Sequence, residues 1–334
     1  VEEVLNEVGE VVEAADIHKM VGRWQSEQLN KPEEAVYHLQ RALAIEPENV
    51  DVMTDLERLY REVAAWEELA QILNHRVELS ADPDEQMEIW RRLGELYELQ
   101  MGQIENAVTA YCHIIEIDPS DILAIESLER IYEAYERWEE LIEILNQKAD
   151  ATYDPDDMVA IRYRVAEIWE QQLGEVENAV TTFRDILAAE QTHTASLEQL
   201  ERIFMSHQRW PDLLDVYEQQ LALTHDPNAQ VQIYGRQASL HEESFDDVES
   251  AIEAYNHILM VDPENLGAIQ NLERLYQQHD RWFDLVDVLQ RHADVTVETD
   301  PGAATEVLNT LSRVQRDQVN DPNAAIEGFT RSLH

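Results

Sequence analysis

Few residues of this sequence stand at spacings that could perform chemistry. The segment His241-Glu-Glu-Ser-Phe245 begins like a helical zinc motif but lacks the second histidine that such a site requires. The other histidines are scattered singly, and neither a Gly-rich phosphate loop nor a Gly-x-Ser-x-Gly motif occurs. Because 70 residues are Asp or Glu, paired carboxylates do not point to acid–base catalysis. The sequence therefore predicts no enzyme, no cofactor and no specific metal site.

The single cysteine, Cys112, excludes an internal disulfide and a cysteine-based zinc cluster. Positions 72 residues apart from it hold Gln40, Arg184 and Asn256, which predicts a partly solvent-facing thiol. No strongly basic surroundings that would lower its pKa stand beside it in the sequence, so we expect an unreactive thiol.

Charge excludes further classes of function. The chain has 334 residues, of which 44% are hydrophobic, and a formal net charge of −46 with a pI near 4.3. Such a charge repels nucleic acid and anionic lipid, so neither is expected as a partner. No apolar run approaches the roughly 18 residues of a membrane span. Divalent cations are expected only as loosely bound counter-ions, and added salt is expected to stabilise the fold.

The elements that must position every side chain come from an internal repeat of 72 residues. The segment Leu56-Glu-Arg-Leu-Tyr60 returns three times at this step. A tryptophan and an alanine follow the same register, at Trp66, Trp138, Trp210 and Trp282 and at Ala35, Ala107, Ala179 and Ala251. The last alanine, Ala325, is displaced by two residues.

Apolar residues within each unit recur with a helical period, as Ala107, Tyr111 and Ile114 show. Asp-Pro pairs such as 82–83 and 154–155 mark helix boundaries, because proline cannot continue a helix. Each unit is thus predicted to hold four helices in two antiparallel hairpins. We predict one continuous all-α solenoid over residues 1–334, with about nine hairpins and units starting near residues 15, 87, 159, 231 and 303.

One hairpin of each unit resembles the tetratricopeptide repeat (TPR) family. The helix A pattern of that family stands at Trp90, Leu93, Gly94 and Tyr97, and its helix B pattern at Ala107, Tyr111, Ile114 and Pro119. The resemblance implies a TPR-like α-solenoid, a superhelix of helical hairpins that mediates protein–protein interaction. We call this hairpin type regular. Its alanines, Ala35, Ala107, Ala179 and Ala251, are predicted to pack where two helices cross closely.

The other hairpin, which we call divergent, departs from the family pattern. A glutamate occupies the small-residue position of its helix A, at Glu57, Glu129, Glu201 and Glu273. Its helix B carries Leu141 and Lys148 where the family has alanines. We expect these bulkier residues to widen the hairpin. The tryptophans that begin this helix B are predicted to fill the wider gap, with ligand contact as the alternative.

A ladder of arginines follows the glutamates, at Arg58, Arg130, Arg202 and Arg274. The resemblance implies that this helix A position faces the groove in which extended peptides lie, so these arginines are candidate partner contacts. The alternative is structural ion pairing, because Glu126 and Glu198 lie four residues before Arg130 and Arg202.

Two functions remain open, both non-enzymatic and both with protein partners. The first is a scaffold that assembles with itself into a filament, tube or ring through its ends, where Val4, Leu5, Phe329 and Leu333 are candidate contacts. The alternative is a monomeric adaptor whose acidic groove accepts basic or extended peptides. The polymer interpretation favours an extracellular or cell-surface location, and the adaptor a cytoplasmic or periplasmic one.

Overall fold

The computed structural model describes the backbone of residues 11–332 and the side chains of residues 14–332. This part of the chain is α-helical and contains no strand. Residues 1–182 and 183–334 form two compact units, and the border falls inside one helix. The fold is the predicted TPR-like α-solenoid, built from antiparallel helical hairpins.

The first compact unit contains α1 to α9 and the beginning of α10. The helices are α1 (Val11–Glu27), α2 (Pro32–Ile45), α3 (Val50–Glu62), α4 (Trp66–Leu79), α5 (Pro83–Glu95), α6 (Ile104–Ile117), α7 (Ile122–Ala134), α8 (Trp138–Ala151), α9 (Pro155–Gln171) and α10 (Val176–Ala189). A π-helical turn, π1 (Leu96–Met101), extends α5.

The second compact unit contains the remaining helices and repeats this pattern. They are α11 (Thr194–Ser206), α12 (Trp210–Leu223), α13 (Pro227–Leu240), α14 (Val248–Val261), α15 (Leu266–Gln278), α16 (Trp282–Thr296), α17 (Pro301–Asp317) and α18 (Pro322–Arg331). A second π-helical turn, π2 (His241–Phe245), extends α13 at the position that corresponds to π1.

The Asp-Pro pairs begin helices as predicted. Asp82, Asp154 and Asp226 are N-caps whose side chains accept a hydrogen bond from the backbone N–H two residues later. The proline that follows each aspartate occupies the first helical position, where no backbone donor is needed.

The core of each regular hairpin forms where a small residue of helix A meets a large residue of helix B. A Cβ added at Gly94 would lie 2.6 Å from the ring of Tyr111, so only glycine allows this approach. Ala107 and Ala251 are fully buried beside the same crossings. The close packing fixes the register of the hairpins and thereby the faces that their helices present.

Turns between helices use the left-handed backbone conformation in the register of the repeat. Gly102 and Gly174, which end two regular helices A, have φ values of 63° and 70°. The tight connections of the divergent hairpins place non-glycine residues there, at Ala64, Glu136, Gln208 and Asp280. This conformation is strained for residues other than glycine. Because no glycine stands at these positions, the sequence alone does not predict it.

Candidate partner-binding surface

The arginine ladder lies on helices A of the divergent hairpins, and the guanidinium groups of Arg58, Arg130 and Arg274 bind the preceding hairpin. Arg130 donates to both carboxylate oxygens of Glu98 in π1, with an Nη2–Oε2 distance of 2.9 Å. Arg274 donates to Glu242 in π2 at 2.6 Å. At the corresponding place, Arg58 donates to Ser26 Oγ at 3.0 Å. The ladder therefore joins consecutive hairpins.

The predicted pair between Arg130 and Glu126 of the same helix is not formed. Glu126 lies 4.0 Å from Lys148 instead. Glu98 is the better partner because its side chain is only 10% exposed, and a shielded carboxylate that accepts two hydrogen bonds holds a guanidinium more firmly than a solvated one. Arg202 donates to Gln199 Oε1 at 2.7 Å. Arg130 nevertheless remains 59% exposed and faces any approaching partner.

The glutamates at the small-residue position form a second ladder, which is largely shielded from solvent. Each receives a side chain from helix B of its own hairpin, 19 residues later in the sequence. These partners are Arg76 for Glu57, Lys148 for Glu129, Gln220 for Glu201 and His292 for Glu273. The first three glutamates also approach an arginine of the next regular helix A: Arg92, Arg164 and Arg236.

These partners decide the ionisation of the shielded glutamates. Burial alone would raise the pKa of Glu129, but hydrogen bonds from Lys148 and Arg164 outweigh it and hold that pKa below its usual range. Within residues 14–332, Glu273 has His292 as its one hydrogen-bonding partner, at 2.7 Å, and burial raises the pKa of Glu273. The ladder thus contains carboxylates with different protonation behaviour at equivalent positions.

A third set of arginines closes the hairpin junctions. Arg137 lies 4.9 Å from the ring centre of Tyr132 and 3.2 Å from Glu105 of the preceding hairpin. Arg281 repeats this arrangement with Tyr276 at 4.9 Å and Glu249 at 2.8 Å. Sequence reasoning missed both this set and the glutamate partners. The signal was present, since Arg92, Arg164 and Arg236 repeat at 72 residues, as do Arg137, Arg209 and Arg281.

Two tryptophans of the series, Trp66 and Trp210, line grooves between a divergent helix B and the next regular helix A. Trp66 lines a groove of about 550 Å³ between α4 and α5, with Leu69, Leu73 and Leu96 as its floor. Trp210 lines a groove of about 570 Å³ between α12 and α13, at the same repeat position. All four tryptophans are half-buried, and Trp66, Trp138 and Trp282 pack against the hydrophobic core.

Charges at these grooves follow a common pattern. In the Trp66 groove, Arg92 lies 3.0 Å from Glu88 and 3.6 Å from Glu57, whereas the exposed Glu95 has no ion pair among the described residues. In the Trp210 groove, Arg236 binds Glu201, and the exposed Glu243 is likewise unpaired there.

A third groove, of about 500 Å³, lies beside the half-exposed Trp24 on α1. Arg23 binds Asp55 at 2.6 Å, and Lys19 binds Asp16 and Glu46. The exposed Glu27 has no ion-pair partner within residues 14–332. Each of the three grooves therefore combines an apolar wall, a basic side chain bound within the chain and an unpaired carboxylate at the rim, and the Trp66 groove also contains Arg61, which has no ion pair among the described residues.

The predicted end contacts are only partly described. Val4, Leu5 and Leu333 lie outside the described residues, and Phe329 is half-buried in α18. Beside it, Ile326 is 65% exposed, whereas the matching residues Ile252, Val180 and Val108 are 3%, 2% and 7% exposed. The surface at α18 thus displays apolar area that the corresponding inner hairpins cover.

Other chemistry is sparse in the described part of the chain. No group of three metal-ligating side chains occurs there. None of its helices is long and apolar enough to cross a membrane. Cys112 is half-buried beside the Tyr132 hydroxyl, and burial raises the pKa of its thiol, which opposes nucleophilic reactivity.

Tetratricopeptide repeat models match residues 88–121, 124–159 and 196–230. The chain contains tetratricopeptide repeats. The first match covers a regular hairpin and the other two cover divergent ones, so both hairpin types are TPRs despite the glutamates in helix A. TPRs are protein–protein interaction scaffolds, generally without enzymatic activity. The general role of an interaction scaffold therefore applies to this chain.

Solved structures resemble the TPR chain only distantly. The MamA protein is 17% identical, and the match covers 54% of this chain and 94% of MamA with a TM-score of 0.32. The C-terminal part of a TPR protein from Cytophaga hutchinsonii is 15% identical. The match covers 78% of this chain and 99% of that structure, with a TM-score of 0.31. A structure of Naa15/Naa10 bound to HypK-THB is 16% identical. That match covers 99% of this chain and 59% of the Naa15/Naa10 chain, with a TM-score of 0.42. No curated protein matches the chain.

Proposed function

We propose that this protein is an adaptor that binds an extended basic segment of a partner protein in the grooves beside Trp24, Trp66 and Trp210. The observation that carries the proposal is the state of the basic side chains. Most of the 24 lysines and arginines already lie at ion-pairing distance from a carboxylate of the same chain, including Arg23, Arg92 and Arg236 in the grooves. An approaching partner therefore meets unpaired carboxylates.

The grooves suit lysine and arginine side chains for a second reason. Such a side chain has an aliphatic stem that packs on apolar surface and a charged end that stays in water. In the Trp66 groove, Trp66 and the 69% exposed Leu99 offer the apolar surface, and Glu95 stands at the rim. In the Trp210 groove, Met205, which is 51% exposed, and Glu243 have these roles.

Fluorescence anisotropy with two labelled peptides of equal length tests the proposal. One peptide alternates lysine and arginine with small residues, and the other carries glutamate and aspartate in their place. We expect saturable binding of the basic peptide, weakening as salt is added, and no binding of the acidic one. Equal affinity for both peptides, or no binding of the basic peptide at low salt, would contradict the adaptor.

Variants with opposite expected effects sharpen this test. Glu95→Gln removes the rim carboxylate of the Trp66 groove and should weaken binding about threefold to fivefold, the effect of one partly screened charge. Arg61→Gln removes an opposing charge from the same groove and should tighten binding by a similar factor. Glu139→Gln changes an exposed carboxylate outside the grooves and serves as the matched control.

Self-assembly is the second candidate, and the exposure of Ile326 favours it. An apolar side chain that is 65% exposed is a candidate contact with a second copy. Light scattering of the pure protein in 1 M NaCl, where charge repulsion is screened, should then show oligomers that Ile326→Asp abolishes. A monomer at high protein concentration would contradict assembly. Ile326 is the better test position, because Phe329 is half-buried and its replacement would disturb the fold.

A further inference from the structure

The glutamate ladder contains a cation bridge in its second repeat. Lys148 Nζ lies 2.7 Å from Glu129 and 4.0 Å from Glu126, so one ammonium group serves two carboxylates. Arg164 binds the other oxygen of Glu129. The side chains of Lys148 and Glu129 are 21% and 15% exposed, so the bridge is well shielded from solvent.

The third repeat keeps both carboxylates and loses the bridging cation. Glu198 and Glu201 occupy the positions of Glu126 and Glu129, and Arg236 occupies that of Arg164. Gln220 stands where Lys148 would be and donates from Nε2 to Glu201 at 2.8 Å. Its Oε1 is buried without a hydrogen-bond partner. A neutral amide has therefore replaced an ammonium group between two carboxylates.

A cavity of about 390 Å³ opens at this place between α11, α12 and α13. Its polar side presents Glu198, Glu201, Gln220 and Arg236, and Arg236 already binds Glu201. Its apolar side is formed by Leu197, Leu223 and Ile233. The cavity thus offers acceptors at one side and a surface for a hydrocarbon chain at the other.

We propose that this cavity binds the side chain of a lysine from the partner's basic segment. The ammonium group would take the place that Lys148 Nζ has in the second repeat, between the two carboxylates. Its N–H donors match the carboxylate oxygens of Glu198 and Glu201, beside the unpaired Oε1 of Gln220. The aliphatic stem of the lysine would lie along Leu197, Leu223 and Ile233. The inference rests on the proposed adaptor function and gives it one specific anchor.

Methyl NMR of Leu197, Leu223 and Ile233 reports directly on the cavity. The probes are the basic peptide, the same peptide with Nε-acetylated lysines, and Nα-acetyl-lysine N-methylamide, a single lysine whose side-chain ammonium group is free. We expect the basic peptide to shift these methyl signals in a saturable way, and the acetylated peptide to leave them unchanged. Gln220→Lys, which restores the bridge of the second repeat, should abolish these shifts and weaken peptide binding at least fivefold.

Lys148→Gln is the reciprocal variant. It should create a second lysine site, seen as new saturable shifts of Ile125 and Ile161, which correspond to Leu197 and Ile233. Because Lys148→Gln should gain a binding site, it tests the proposal even if Gln220→Lys does not fold.

The outcomes separate this site from the adaptor function. If the basic peptide binds without moving the cavity signals, or moves them equally in Gln220→Lys, the lysine site is wrong and the adaptor stands. If the peptide does not bind but the lysine amide still shifts the signals, the site stands and the adaptor is wrong. If neither probe has an effect, both are overturned.

Discussion

Arg130 is held by Glu98 of the preceding hairpin, 32 residues earlier in the sequence, and not by Glu126 four residues before it. The pair therefore connects two TPRs and does not stabilise a single helix. Arg274 and Glu242 repeat this connection in the second compact unit. Arg130 and Arg274 thus already hold a carboxylate of their own chain, which is the physical basis for expecting a basic partner.

A double-mutant cycle should measure this connection. We expect Arg130→Ala and Glu98→Gln to couple by about 0.5–1 kcal/mol, the size of an ion pair whose arginine stays half exposed. The cycle of Arg130→Ala with Glu126→Gln is the control and should give a coupling near zero. Urea unfolding followed by circular dichroism provides the free energies. A larger coupling to Glu126 than to Glu98 would show that the same-helix pair dominates in solution.

Two glycines in corresponding regular helices should respond oppositely to the same substitution. Gly94→Ala places a Cβ 2.6 Å from the Tyr111 ring and should cost about 1–3 kcal/mol, the usual penalty for overpacking. Gly235→Ala meets no atom within 4 Å inside α13 and should stabilise by about 0.5–1 kcal/mol through helix propensity. Thermal melts decide, and shifts of the same sign would contradict the packing described.

The pKa of Glu129 predicts a pH-dependent contribution to stability. Because this pKa is lowered in the folded chain, the contribution is present above the ordinary pKa of about 4.3 and is lost as the pH falls through the folded value. Glu129→Gln should therefore cost about 2 kcal/mol at pH 7, where two charged hydrogen bonds are lost, and less at pH 3.5. Glu139→Gln is the exposed control. A difference from wild type that does not change with pH would contradict the pairing with Lys148 and Arg164.

Added salt should raise the melting temperature. Salt weakens the internal ion pairs, but it also screens the mutual repulsion of a chain with a net charge of −46. The paired arginines are mostly half-exposed, and such pairs contribute little each, so relief of repulsion should outweigh their loss. Melting curves from about 10 mM to 1 M NaCl span screening lengths from about 30 Å to 3 Å. A melting temperature that falls with salt would show that the ion-pair ladders dominate.

The regular hairpins could be predicted from the sequence because their determinants are local and periodic. Gly94 and Tyr111 stand at family positions, and the Asp-Pro pairs announce helix starts that the structure confirms. The π-helical turns could not be predicted in this way. Neither could the left-handed residues Glu136 and Gln208, since no glycine marks these positions.

The candidate surface was predictable only in outline. The sequence predicts that helix A glutamates such as Glu57 widen the divergent hairpin, but it does not predict that Glu57 binds Arg76 and lies close to Arg92. Pairs that span 19, 32 or 35 residues join different helices, so a search along one helix face does not find them. The equivalence of Gln220 and Lys148 can be read from the repeat, but the cavity beside Gln220 depends on how α11, α12 and α13 pack and could not be predicted from the sequence.

Zero-length cross-linking with a carbodiimide tests the central claim most directly, because it joins the lysines of a bound basic peptide to the carboxylates they touch. Peptide mapping by mass spectrometry then compares the groove carboxylates Glu27, Glu95 and Glu243 with exposed carboxylates elsewhere, Glu139, Glu253 and Glu298. The adaptor function predicts that the groove set is modified preferentially and that 0.5 M NaCl removes the preference. Equal modification of both sets would contradict binding in the grooves.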